Sequence, residues 1–163
     1  MPLFSIGHSN AGIDDFIELL RRNEIDLLVD TRSKPYSRYN PHFSREPLKQ
    51  ALNEHQIDYV FLGDRIGGKP EGEAFYFQSG KVDYDRVAEA PFYLAGLEQL
   101  IALAETRRVA FMCAEADYKH CHRYWLITRS LVGRGIRVQH LLHSGEIVKS
   151  AANEFEPEQP SLF

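Results

Sequence analysis

The sequence predicts a single α/β domain: a mainly parallel five-stranded sheet with helices on both faces. Short apolar runs alternate along the chain with segments of helical periodicity, as strand–helix–strand units require. The length of 163 residues suits one core rather than two. Apolar residues make up 44% of the chain and aromatics 12%, a composition that can fill an interior and is neither disordered nor fibrous.

Residues 3–7 (LFSIG) form the first apolar run, which ends in Gly7-His8-Ser9. Ile13, Phe16, Ile17 and Leu20 follow at helical spacing, with Asp14 and Asp15 favouring the helix start. Residues 26–30 (DLLVD) read as a buried strand. Ser44 can cap a helix carrying Leu48, Ala51 and Leu52, and residues 58–62 (DYVFL) give a third strand. Gly63 to Gly80 holds five glycines and reads as a long loop, a common place for function. Leu97, Leu100, Ile101 and Ala104 mark a further helix, and residues 108–113 (RVAFMC) a fourth strand. A helix from Lys119 to Val132 is expected to bury Trp125, Thr128 and Leu131, and residues 136–142 (IRVQHLL) supply the fifth strand. The domain is placed at residues 1–149 and a flexible acidic tail at 150–163.

No apolar run approaches the roughly 20 residues of a membrane span, and no secretory signal is visible at the amino end. Two cysteines do not make a disulfide framework, so a reducing, cytoplasmic setting is expected, with no membrane partner. The net charge is −4 and unevenly distributed. Thr31–Arg45 and Tyr118–Gly145 together hold nine basic residues and no Asp or Glu. Such segregation points to a face prepared for an anion.

In a parallel sheet, ligands gather outside the carboxyl ends of the strands. The polar residues fall there: His8 and Ser9, Asp30 and Arg32, Cys113 and Glu115, His140 and His143. A thiol at a helix start flanked by Lys119, His122 and Arg123 has its thiolate favoured, and Cys121 meets that description. Cys113 is the competing nucleophile. Cys121 also precedes Tyr124 and Trp125 by one turn, where a plain core thiol would sit. Cys113, Cys121, His122 and His8 lack metal-ligand spacing, and neighbouring helical side chains diverge by about 100°. Neither a metal nor another cofactor is expected.

The loop from Asp30 to Phe43 alternates basic and aromatic residues between Pro35 and Pro41. Arginine grips phosphate oxygens bidentately and tyrosine can stack a base, so Ser9, Arg32, Ser37, Arg38 and Tyr39 are candidate substrate contacts. Lys69, after Gly67-Gly68, joins them on a flexible turn without the full phosphate-loop pattern. The competing reading pairs Arg32 with Asp30 or Glu115 and uses the aromatics to cover the end of the sheet.

Ile6-Gly7-His8-Ser9-Asn10, Leu28-Val29-Asp30-Thr31-Arg32, Pro35 with Ser37-Arg38, Leu62-Gly63 with Gly67-Gly68, Cys113-Ala114-Glu115 and Cys121-His122-Arg123 occur in this order. As a set they resemble the domain of unknown function 488 family, from about residue 5 to residue 143, with Thr31 where valine is more usual. The resemblance implies the fold and the site; it brings no reaction with it.

The final residues, Gln159-Pro160-Ser161-Leu162-Phe163, resemble the Q-x-S/D-L-F peptide by which bacterial replication and repair proteins bind the sliding clamp, with Pro160 where leucine would be expected. In such a peptide Leu162 and Phe163 anchor while Gln159 sets the register. The sequence therefore reads as a cytoplasmic, DNA-associated protein of repair or nucleic-acid processing, hydrolase- or transferase-like. Arg32, Arg38 and Arg123 hold phosphate, Glu115, Asp30 or His8 moves protons, and a cysteine beside His122 attacks. Two other readings stand beside it: an enzyme on a small phosphorylated or sulfur-containing metabolite, and a non-catalytic nucleic-acid-binding module.

Overall fold

The alternating apolar and amphipathic segments form a layered α/β structure in the computed structural model, which describes residues 3–150 and 152–155. The clamp-peptide residues Gln159, Leu162 and Phe163 lie outside the described residues. The elements are β1 (Leu3–Gly7), α1 (Ile13–Arg22), β2 (Leu27–Asp30), α2 (Arg45–Asn53), β3 (Asp58–Phe61), α3 (Gly63–Ile66), α4 (Tyr84–Val87), α5 (Pro91–Thr106), β4 (Val109–Cys113), α6 (Arg129–Gly133), β5 (Val138–Leu141) and β6 (Ile147–Ser150). The sheet order is β3-β2-β4-β1-β5-β6; β6 is antiparallel to β5 and every other pair is parallel.

The sheet thus has six strands rather than the expected five. The extra strand, Ile147–Ser150, is only four residues long, half of them polar, and only Ser150 is buried, so it carries no sustained apolar run. It returns from β5 through a tight turn in which Gly145 adopts a φ of 91°. The chain continues through a 3₁₀ turn at Ala152–Phe155, whose Phe155 ring lies 4.8 Å from that of Tyr124.

Strand alternation divides the core in two. Leu3, Leu27, Val29, Val109 and Phe111 face α5 and α6, while Phe4, Ile6, Leu28, Ala110 and Met112 face α1 and α2. In α1, Phe16, Ile17, Leu19 and Leu20 are buried, with Asp14 and Asp15 in the first turn and Arg21 and Arg22 in the last, as the helix dipole favours.

Three local expectations change. Ser44 occupies the cap position of α2, but its hydroxyl instead accepts the Ser37 N–H at 3.1 Å and closes the preceding loop. Within the long Gly63–Gly80 segment, α3 forms one helical turn and buries Ile66. The expected Lys119–Val132 helix is broken: a 3₁₀ turn at Tyr118–His120, then a π-helical stretch at Arg123–Thr128 leading into α6. The wider turns shift the phase of the helix, so Leu126 and Ile127 face the core while Trp125 is 45% exposed, its Nε1 donating to the Lys119 carbonyl at 2.6 Å. Among the described residues no helix is long and apolar enough to cross a membrane.

Candidate functional site

The register Gly7↔Cys113 and Asp30↔Met112 brings the ends of β1, β2 and β4 level. The segments leaving them meet at one edge. His8 N–H donates to the Cys113 carbonyl at 3.0 Å and Ser9 N–H to that of Ala114 at 2.9 Å. This closeness demands glycine at position 7, because a Cβ there would stand 1.7 Å from the Glu115 carbonyl oxygen. Ser9 follows at a φ of 48°, the left-handed region that non-glycine residues seldom occupy.

Cys113 and Cys121, both free thiols, meet here with their sulfurs 2.9 Å apart. Cys113, the last residue of β4, is buried; Cys121 is partly exposed. The thiol hydrogen bond from Cys113, together with the charge and backbone N–H of Arg123, holds the Cys121 thiol down to about 7 despite burial. The same contact, and burial, push the Cys113 thiol up. Of the two, Cys121 is the thiol that ionises first, and its thiolate accepts the hydrogen bond from Cys113.

Arg123 is fully buried and donates to Ser5 Oγ at 3.2 Å and to the Glu115 and Ala116 carbonyls at 3.1 and 3.3 Å. Among the described residues no carboxylate pairs with it, and its Nε has no hydrogen-bond partner. A buried guanidinium without a carboxylate favours an anion nearby, and the Cys121 thiolate supplies one. Ser5 passes the network on: its hydroxyl bonds His140 Nδ1 at 2.5 Å, and His140 Nε2 and Ser150 Oγ share a hydrogen bond of 2.7 Å. Burial and the Arg123 charge lower His140 to about 3, so it is neutral, with Tyr118 stacked on it at 4.0 Å.

On the β2 side, Asp30 is fully buried and grips Arg32 through two parallel contacts, Nε to Oδ1 at 2.9 Å and Nη2 to Oδ2 at 2.8 Å. Tyr59 donates its hydroxyl to Asp30 Oδ2 at 2.5 Å; burial, with the charge and hydrogen bond of Asp30, raises the phenol. His8 Nδ1 donates to the Ser9 carbonyl at 2.8 Å, and its ring stacks on Phe43 at 4.5 Å; burial lowers it to about 4. His122 Nε2 donates to the Thr31 carbonyl at 3.0 Å and is likewise lowered to about 4 by burial.

Cys113, Cys121, His122 and Glu115 line a cavity of about 420 Å³, with Arg32 and Lys69 in its wall. His8, Asp30, Arg123, Arg38 and Tyr39 do not line it, while Ser37 serves the fold of its own loop. Ser9 lines a separate hollow of about 600 Å³ with Asp15, Glu18, Arg22 and His143, which contains neither thiol. Gly67 and Gly68 allow close approach rather than flexibility: a Cβ on Gly68 would stand 2.7 Å from the His122 ring. Lys34, Tyr36, Tyr84 and His120 also line the thiol cavity but were not picked out from the sequence. Lys34 and Tyr36 lie in the acid-free loop that pointed to a site, whereas Tyr84 has no local signal. Among the described residues no three His, Cys, Asp or Glu side chains gather as metal ligands.

A family model described as "Domain of unknown function DUF488" matches residues 12–129, a stretch holding Asp30, Arg32, both cysteines and Arg123. Searches of curated proteins and of solved structures each returned no match. With well over half of its length matched, the chain belongs to the DUF488 family.

Proposed function

We propose that this protein is a thiol-dependent enzyme, transferase- or hydrolase-like, in which Cys121 attacks a small anionic substrate, phosphorylated or sulfur-containing. The observation that carries the reading is the position of Cys121: its thiolate-favoured sulfur lines a cavity of small-molecule size beside Lys34 and Lys69. The two lysines attract the anion. Arg32, fixed by Asp30, keeps its orientation at the cavity wall, and Glu115, on the same wall, exchanges a proton with the departing group. Arg123 acts through Cys121, keeping its charge next to the thiolate.

The test is the alkylation of Cys121 by iodoacetamide as a function of pH, with and without inorganic phosphate or thiosulfate. The expected rate rises with an inflection near 7 and is slowed by either anion, and the protection is lost in a Lys34→Ala/Lys69→Ala variant. An inflection near the free-thiol value of about 8.5, with no protection, would remove the proposal.

A second reading, DNA association through the Thr31–Arg45 segment, is favoured by the exposure there of Tyr36 (70%) and Tyr39 (84%). The Arg38 guanidinium lies 5.7 Å from the Tyr39 ring centre, so charge and aromatic face occur together, as single-strand binding uses them. Recruitment by the Gln159–Phe163 peptide to a sliding clamp belongs to this reading.

A further inference from the structure

We infer that the substrate taken by Cys121 is an anionic sulfane-sulfur donor and that Cys113 resolves the resulting persulfide, releasing sulfide and leaving a Cys113–Cys121 disulfide. The inference rests on the reading of Cys121 as nucleophile and narrows it to one chemistry. Three observations carry it. The sulfurs stand 2.9 Å apart, within about 1 Å of a disulfide bond length. Their burial is unequal: Cys121 is open to the cavity, while Cys113 is only 1% exposed at the end of β4, out of reach of a bulky external group. And the cavity wall that both thiols share carries Lys34 and Lys69, which suit an anionic donor better than a neutral oxidant.

A second thiol in this place separates sulfur chemistry from phosphoryl or acyl transfer. If Cys113 attacked a phosphoryl or acyl group held on Cys121, the group would only move to the second sulfur and would still await water or an acceptor, so the second thiol adds nothing to that chemistry. A sulfur on Cys121 can be expelled by the same attack. With thiosulfate as donor, the Cys121 thiolate attacks the outer sulfur, the S–S bond to the sulfonate sulfur breaks, and sulfite leaves with that electron pair. Cys121 then carries a persulfide. Cys113 attacks the Cys121 Sγ of that persulfide, the outer S–S bond breaks, and the departing sulfur takes the Cys113 proton to leave as hydrosulfide. Two equivalents of a low-molecular-weight thiol reduce the disulfide and restore both cysteines, themselves becoming one disulfide. The sum is thiosulfate and two thiols converted to sulfite, hydrogen sulfide and one disulfide.

The experiment adds thiosulfate to the reduced full-length protein with no other thiol present. Wild type is expected to release sulfite and sulfide in equimolar amounts, one of each per chain, and to acquire the Cys113–Cys121 disulfide seen by mass spectrometry. Cys113→Ser should still release sulfite, lose sulfide release, and gain the mass of one sulfur atom on Cys121; Cys121→Ser should release neither. Added 2-mercaptoethanol should make the wild type turn over repeatedly. If Cys113→Ser does not fold, the equimolar yield and the disulfide of the wild type decide alone. Sulfide release by Cys113→Ser equal to wild type, or sulfite without sulfide from wild type, overturns the role of Cys113. Absence of any reaction with thiosulfate overturns the sulfur assignment. In that case a retained low alkylation inflection leaves Cys121 as the nucleophile of another chemistry, and a lost one removes both.

Discussion

Ser5 and His140, 135 residues apart in sequence, share a hydrogen bond of 2.5 Å between β1 and β5, beneath the thiol site. Ser5 accepts from Arg123 and bonds His140 Nδ1, whose Nε2 in turn bonds Ser150 Oγ. A buried cation is thereby tied to both neighbouring strands without a carboxylate. The arrangement requires His140 to remain neutral, since a second positive charge would face Arg123.

That requirement extends to two more histidines and sets a pH dependence. His8 and His122 are lowered from 6.5 to about 4 and His140 to about 3, all chiefly by burial. Unfolding returns them to ordinary values, so below pH 6.5 the unfolded chain binds more protons and stability falls. The loss runs from about pH 6.5 to about 4 for His8 and His122 and on to about 3 for His140, with a limiting slope of about 1.4 kcal/mol per pH unit for each histidine. Urea unfolding at half-unit pH steps measures it. A midpoint constant from pH 7 to 4 would show that these imidazoles are solvated.

Cys113 holds Cys121 low by donating a hydrogen bond, so its removal has a defined sign. Cys113→Ala should move the Cys121 alkylation inflection above 7, towards the free-thiol value. The measurement is the iodoacetamide rate against pH in the variant and the wild type. An unmoved inflection would assign the shift to Arg123.

Asp30 anchors the Arg32 fork and the Tyr59 hydroxyl with no exposure to solvent. Asp30→Asn leaves a buried guanidinium without its charge partner and should cost about 3–5 kcal/mol of stability. Tyr59→Phe removes one hydrogen bond to a charged group and should cost about 1.5–3 kcal/mol. Equilibrium urea unfolding ranks the two, and a Tyr59→Phe loss as large as that of Asp30→Asn would contradict the assignment of the charge pair as the dominant contact.

Two glycines should respond oppositely to alanine. At Gly7 a methyl meets the Glu115 carbonyl oxygen, backbone against backbone, and the expected loss is about 3 kcal/mol or more. At Gly133, the last residue of α6, nothing lies within 4 Å of the added carbon. Gly133→Ala should be neutral or gain about 0.5–1 kcal/mol from helix propensity. Thermal midpoints of both variants give the comparison.

The nucleic-acid reading makes its own demand on the exposed Tyr36–Tyr39 stretch. Single-stranded DNA should bind with a marked salt slope, and Arg38→Ala should reduce that slope by about 1 if it meets one phosphate. Leu162→Ala/Phe163→Ala should abolish binding to a bacterial sliding clamp of roughly micromolar strength, the scale of two buried side chains after ordering costs. Salt-insensitive binding, or clamp binding unchanged by the double variant, would withdraw this second reading.

Residue order alone determined the parallel α/β plan and the end of the sheet at which to look. The apolar runs at 3–7, 26–30, 58–62, 108–113 and 136–142 each correspond to a strand; β1, β2 and β4, buried along their whole length, give the clearest runs, because a strand covered on both faces is apolar nearly throughout. Where one face is exposed that signal fades, and β6 went unseen. The two basic segments and the Cys113–Arg123 cluster were equally legible, since charge segregation and residue type survive without coordinates. Their division of labour was not. Arg32 and Arg123, alike as candidate phosphate ligands, differ because one meets Asp30 across a two-residue turn and the other lies buried beside a thiol and a serine. Trp125 left the core when a π turn changed the helix phase, which periodicity at 3.6 residues cannot register. The 2.9 Å between Cys113 and Cys121 depends on the chain passing from β4 through a 3₁₀ turn and back to the same strand end. Proximity between residues is created by the path of the backbone, and that path is settled by the packing of the whole sheet.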